Sequence, residues 1–182
     1  MRRRKPTPPE HALLVIGALF ADEEAYLEAV PLLEKTFGEV IMESPLIPWD
    51  FSSHYEEELG SPICRRFLFF KDLIDQGELS SAKLKTCAIE NTISLNGKRT
   101  VNLDPGYLTV AKLVLASTKD YAHRIYIGKG VFAEVTLAYN KSKRCYLPLP
   151  NTYNDFKDRR YTRLFAVARV LLRSLQSEQK AS

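Results

Sequence analysis

Apolar residues along this chain change their period several times, and the changes mark out its elements. The run LLVIGALF at 13–20 is apolar without alternation, which predicts a strand buried on both faces. Over 22–37 the period lengthens to that of a helix, with Tyr26, Ala29, Val30, Leu33 and Phe37 as its apolar stripe. Pro31 should kink or divide that helix, because it removes an interior hydrogen bond, and Gly38 sits where a C-terminal cap belongs. A second strand is expected at 40–42. A Pro-rich loop follows, then a short acidic helix over 53–59 opened by the capping-box spacing of Ser53 and Glu56, and a strand over 66–70.

Two later segments carry competing signals. Ser80 or Ser81 could open a helix to Ile89, yet Thr86, Ile89, Thr92 and Ile93 also suit a strand running into a hairpin at Asn96-Gly97. The hairpin is the favoured reading, with 99–103 as the returning strand. Asp104-Pro105-Gly106 then reads as the start of a helix over 104–117, with Asp at the N-cap and Pro in the first turn. Residues 124–139 predict two strands about the turn Gly128-Lys129-Gly130. In the second of these, Val131, Ala133, Val135 and Leu137 form the expected core face, which leaves Glu134 and Thr136 solvated or lining a cleft. A short strand at 144–147 and a long amphipathic helix over 155–176 complete the chain. Hairpins with separate helices predict one α+β domain over 11–182, with a largely antiparallel mixed sheet, packed helices and a long C-terminal helix.

Charge narrows the function less than its total suggests. The 26 basic and 22 acidic residues of the 182 give a formal charge of +4. Arg2, Arg3, Arg4 and Lys5 supply that excess, within a basic stretch at 1–10 that is expected to be disordered. The body is near neutral, so charge alone does not imply a nucleic-acid surface. Pro6, Pro8, Pro9 and Glu10 separate the basic cluster from the apolar run, which argues against a secretory signal. No apolar run is long enough to span a bilayer. Cys64, Cys87 and Cys145 are odd in number and widely spaced, which fits reduced thiols in the cytoplasm better than a disulfide framework.

Two groups of residues carry candidate chemistry. Asp50, His54 and Glu58 would share a helix face if the short acidic helix reached back to Asp50, and they would then suit a divalent transition metal. Asn102, Asp104, Lys119, Asp120, His123 and Arg124 gather around the helix expected over 104–117, with Glu134 on the adjacent strand. Such a set suits a phosphate or carboxylate ligand, with His123 and Asp104 as the candidate acid–base pair. A helix of about ten residues would hold the two ends of this set roughly 15 Å apart. Ser117-Thr118-Lys119-Asp120 loosely resembles the base-reading element of GTPases, but no GxxxxGK[ST] loop is present, which argues against a P-loop enzyme.

Taken together, several of these segments resemble a bacterial domain-of-unknown-function family, the one numbered 4416. The resemblance rests on GALF at 17–20, PWDF at 48–51, YEEE at 55–58, GSP at 60–62 and RRF at 65–67. NLDPGY at 102–107 and TKDYAHRIYIGKG at 118–130 are its most specific parts. Trp49 stands where that family more usually has Phe. The resemblance implies a small cytosolic protein with no assigned reaction, and some similar chains are described as GTP-binding. The leading expectation is a domain, enzymatic or not, that binds a nucleotide or other small anion in a polar cleft. The alternative is a non-catalytic interaction protein holding RNA or a protein partner through its basic tail and the Pro-Trp-Asp-Phe loop.

Overall fold

Every residue of the first strand, β1 (Leu13–Phe20), is buried, because both faces of the sheet it centres are covered. Leu13 and Val15 pack with Phe67, Phe69, Phe165, Ala168 and Leu172. Leu14, Ile16, Ala18 and Phe20 pack on the other side with Tyr26, Ala29, Leu33, Ala82 and Ile89. A strand covered in this way reads as an unbroken apolar run. The computed structural model describes residues 5, 7–52 and 55–181. Half of the expected basic tail, and both Ser53 and His54, therefore lie outside the described residues.

After β1 come α1 (Glu23–Phe37), β2 (Val40–Glu43), β3 (Ile47–Pro48), α2 (Glu56–Leu59) and β4 (Cys64–Phe70). These are followed by α3 (Leu79–Thr92), β5 (Val101–Leu108), β6 (Lys112–Ser117), β7 (Ile125–Gly128), β8 (Val131–Asn140), β9 (Cys145–Pro148) and α4 (Arg159–Ala181). The strands form one sheet in the order β2-β4-β1-β5-β6-β8-β7, with β3 beside β4 and β9 beside β8. Every described pairing is antiparallel. Helix α4 covers one face through Tyr161, Phe165, Ala168 and Leu172, and α1 and α3 cover the other. This is the expected α+β domain.

Helix α1 opens on Asp22, whose side chain accepts the Glu24 N–H at 3.0 Å, and runs unbroken through Pro31. At the other end of the chain, α4 starts four residues later than expected, because residues 154–157 form a 3-10 turn.

The structure corrects three local readings. First, residues 104–117 form no helix: Asp104, Pro105 and Gly106 lie within β5, and a tight turn leads into β6. Secondly, residues 79–92 are helical. The Asn96-Gly97 turn is present, with both residues at positive φ and a Leu95–Lys98 bridge, but it joins a helix to a strand. Polar Lys83, Thr86 and Glu90 are buried on α3, so its sequence shows little apolar periodicity. Thirdly, a register shift between β6 and β8 pairs Leu113 with Leu137 but Val114 with Val135. The extra residue, Thr136, resets the alternation, so that Glu134 and Thr136 are buried while Val135 is exposed.

The ladder between β5 and β6 is short, running only from Leu108–Leu113 to Gly106–Leu115. On the flanks the pairing continues, β1 with β5 as far as Phe20–Val101 and β6 with β8 as far as Ser117–Phe132. Pro105 explains the break. Hydrogen-bonding sides alternate along an antiparallel strand, and Leu103 and Pro105 both turn their backbone nitrogens towards β6, where Pro105 has no N–H for the next rung. The sheet parts between β5 and β6 at this end.

Just before the break, a Cβ added at Gly106 would stand 2.5 Å from the Val114 carbonyl oxygen, a backbone atom that cannot turn aside. Gly106→Ala should lower stability by about 1–3 kcal/mol through this overpacking. Denaturant unfolding of the purified variant checks this, and an unchanged midpoint would contradict the packing described.

Candidate functional site

The parted strands are held open by the helix behind them. Leu103 lacks a β6 partner, and α3 supplies both replacements: the Leu103 N–H donates to Glu90 Oε1 at 2.6 Å, and Lys83 Nζ donates to the Leu103 carbonyl at 2.9 Å. Unpaired backbone groups in the interior are costly, so these side chains do the work of a strand. On the far side of the gap lies a cavity of about 490 Å³. Its walls carry Trp49, Phe51, Tyr55, Tyr121, Tyr153 and Phe156 among the aromatic residues, and Arg65, Lys83, Arg99, Lys119 and Arg124 among the basic ones.

A continuous polar chain borders the β5 side. Glu58 accepts from Arg99 Nε and Nη2, each at 2.6 Å, and Arg99 Nη1 donates to Asn102 Oδ1 at 2.8 Å. Asn102 Nδ2 in turn donates to Asp104 Oδ2 at 2.7 Å, and Lys83 Nζ donates to Asp104 Oδ1 at 3.2 Å. Burial by itself would raise the Asp104 pKa. The charges of Lys83 and Arg65, with the hydrogen bonds from Lys83 and Asn102, outweigh it and hold the carboxyl below its ordinary value. Burial opposes the Lys83 charge too, but Asp104 and Glu90 overcome that and keep it protonated. Glu90 behaves differently, since burial pushes its pKa up.

The opposite side is organised by Arg124, whose side chain is 3% exposed. Its Nε donates to Glu134 Oε2, and Nη1 donates to Ser117 Oγ and the Lys119 carbonyl, all at 2.8 Å. Nη2 donates to Tyr153 Oη at 2.9 Å, and the guanidinium lies 4.6 Å from the Tyr121 ring centroid. At the inner wall, Arg65 meets Asp155 at 3.2 Å, with Phe67, Phe156 and Tyr161 around its guanidinium. Trp49 Nε1 donates to the same Asp155 oxygen at 3.3 Å. Burial pushes the Tyr55 hydroxyl up to about 12, so it stays protonated at neutral pH.

The hairpin thus unites residues that a helix would have kept apart. Asn102, Asp104, Lys119, Arg124 and Glu134 all line the one cavity. Asp120 is exposed beside it. His123 approaches Glu134 Oε2 at 2.8 Å but lines a second depression of about 330 Å³. The helix face expected to align Asp50, His54 and Glu58 is not formed: α2 begins at Glu56, so no helix reaches back to Asp50, and Glu58 is engaged by Arg99. His54 is outside the described residues, among which no three His, Cys, Asp or Glu side chains are placed to hold a metal ion.

Sequence reasoning missed Arg65, Lys83, Arg99 and Asp155. Arg65 stood just before an expected strand and Arg99 at the start of another, both as ordinary cations, and Lys83 depended on recognising α3. One available signal was the spacing of Lys83 and Glu90, seven residues and hence two turns apart on one helix face.

Replacing Asp104 by Asn leaves the Lys83 charge buried beside a neutral group and should cost about 3 kcal/mol of stability at pH 7. The lowered pKa fixes the sign of the pH dependence. The Asp104 contribution is present above the ordinary Asp range, about 4, and is lost as the pH falls through the lowered value. The gap between wild type and Asp104→Asn, followed by denaturant unfolding, should therefore shrink with acidification. A gap that widens below pH 4 would contradict the assignment.

Among the described residues no helix is long and apolar enough to cross a membrane, and the three cysteines are free. A search of curated proteins and a search of solved structures each return no match. A family model, Domain of unknown function (DUF4416), matches residues 10–171, a span that includes β1, the β5–β6 hairpin and every residue lining the cavity. The chain belongs to the DUF4416 family.

Proposed function

We propose that the cavity between β5 and β6 binds a nucleotide or another small anionic ligand. The observation that carries this reading is the combination of aromatic walls with one cation that forms no ion pair and a second whose guanidinium is incompletely hydrogen-bonded. The Lys119 side chain is exposed and forms no ion pair among the described residues. Arg65 faces the same space with its Nε buried and without a hydrogen-bond partner. A volume near 490 Å³ suits a ligand of nucleotide size.

The arrangement favours binding over acid–base chemistry. Both Asp104 oxygens already accept hydrogen bonds, and His123 faces the second depression. Trp49 is buried against Asp155 and turned to the cavity wall, which favours a small ligand over a partner surface on the Pro-Trp-Asp-Phe loop.

Thermal-shift titration with guanine and adenine nucleotides, with and without Mg²⁺, tests the reading. A ligand binding only the folded state should add about 2.7 kcal/mol of stability at 100 times its dissociation constant. A saturable shift is expected. No shift with any of these nucleotides at millimolar concentration would overturn nucleotide binding.

A further inference from the structure

The cavity's own carboxylates set a limit on the charge it can accept. Lys83, Arg99 and Arg124 are each held by one or two carboxylates of the chain at 2.6–3.5 Å. Their charges are already answered. Lys119 at the surface forms no ion pair among the described residues, and Arg65 at the inner wall shares its carboxylate, Asp155, with Trp49. A ligand with four negative charges would meet three lining carboxylates, Asp104, Glu134 and Asp155, with little free cation to offset them.

Arg65 is the more specific of the two. Its side chain is 4% exposed, and while Nη2 meets Asp155, Nε is buried with no hydrogen-bond partner. Gly17 makes room for this guanidinium, since a Cβ there would stand 3.1 Å from Nη1. A buried guanidinium with vacant N–H groups is a costly arrangement, and an oxyanion would complete it. Phe156 and Trp49 lie beside it as flat apolar walls.

Resting on the ligand-binding reading above, we infer that the ligand carries a single oxyanion group on a flat ring system, taken acid-inward by Arg65, and is not a polyphosphate. The shared chemistry is a phosphate monoester or a carboxylate. Lys119 helps at the mouth without setting the orientation.

Calorimetric and thermal-shift titrations of the full chain should use guanosine, guanosine monophosphate, guanosine triphosphate, indole-3-acetate and inorganic phosphate. Guanosine monophosphate or indole-3-acetate, or both, should bind at least about tenfold more tightly than guanosine, the difference a charge-assisted hydrogen bond supplies. The triphosphate should show no gain over the monophosphate. Binding of the monophosphate alone identifies a phosphate ligand, and binding of indole-3-acetate alone a carboxylate. Arg65→Lys, which keeps the charge but loses the planar fork, should weaken the bound probe by about tenfold or more. Lys119→Ala, at an exposed position that does not threaten folding, should weaken it only a few-fold.

Tighter binding of the triphosphate than of the monophosphate would overturn this inference while leaving nucleotide binding intact. Equal binding of guanosine would do the same. If no probe binds the wild-type protein, both the inference and the reading beneath it fall.

Discussion

The site depends on the clip that α3 places on Leu103. Two side chains two helical turns apart satisfy the N–H and carbonyl that a neighbouring strand would otherwise take. Without them, the gap after Pro105 would leave buried backbone groups unpaired, and the sheet would have to close or admit water. With them, the first half of β5 stays bound to β1 on one side and has no strand partner on the other. The cavity follows from this separation, because the lower halves of β5 and β6 no longer approach each other.

Burying Lys83 and Glu90 for this purpose brings an electrostatic obligation. Lys83 needs a counter-charge, which Asp104 provides, and Asp104 is oriented in turn by Asn102 and Arg99. Such groups contribute little net stability when complete, but removing one strands its partner. The polar wall is thus a fixed structural frame. Across the cavity Arg124 has the same character, its guanidinium committed to four partners. Arg65 and Lys119 differ from these cations in retaining N–H groups for something else, and the proposed ligand chemistry follows from that difference.

Much of the fold was legible in the sequence, and the failures share a cause. Continuous apolar content identified β1, and helical periodicity identified α1 and α4, because those elements meet ordinary apolar cores. Helix α3 was obscured because its buried face includes Lys83, Thr86 and Glu90, which serve the split strand. Asp104-Pro105-Gly106 imitated a helix start for a related reason: each residue has a non-helical role here, as ion-pair partner, ladder terminus and close backbone contact. Of the candidate residues named from sequence, Asn102, Asp104, Lys119, Arg124 and Glu134 line the cavity. Their convergence was not legible, since it depends on a hairpin in place of a helix. Arg65 and Asp155 are brought together only by the packing of β4 against the segment before α4.

Trp49, the only tryptophan in the chain, lies on the cavity wall and reports on its occupancy. The most direct test of the central claim is Trp49 emission during titration with guanosine monophosphate and indole-3-acetate, corrected for ligand absorbance. A saturable change is expected with at least one of them, abolished or shifted to higher concentration in Arg65→Lys. Binding detected by calorimetry without any change at Trp49 would place the ligand elsewhere and contradict the assignment of this cavity.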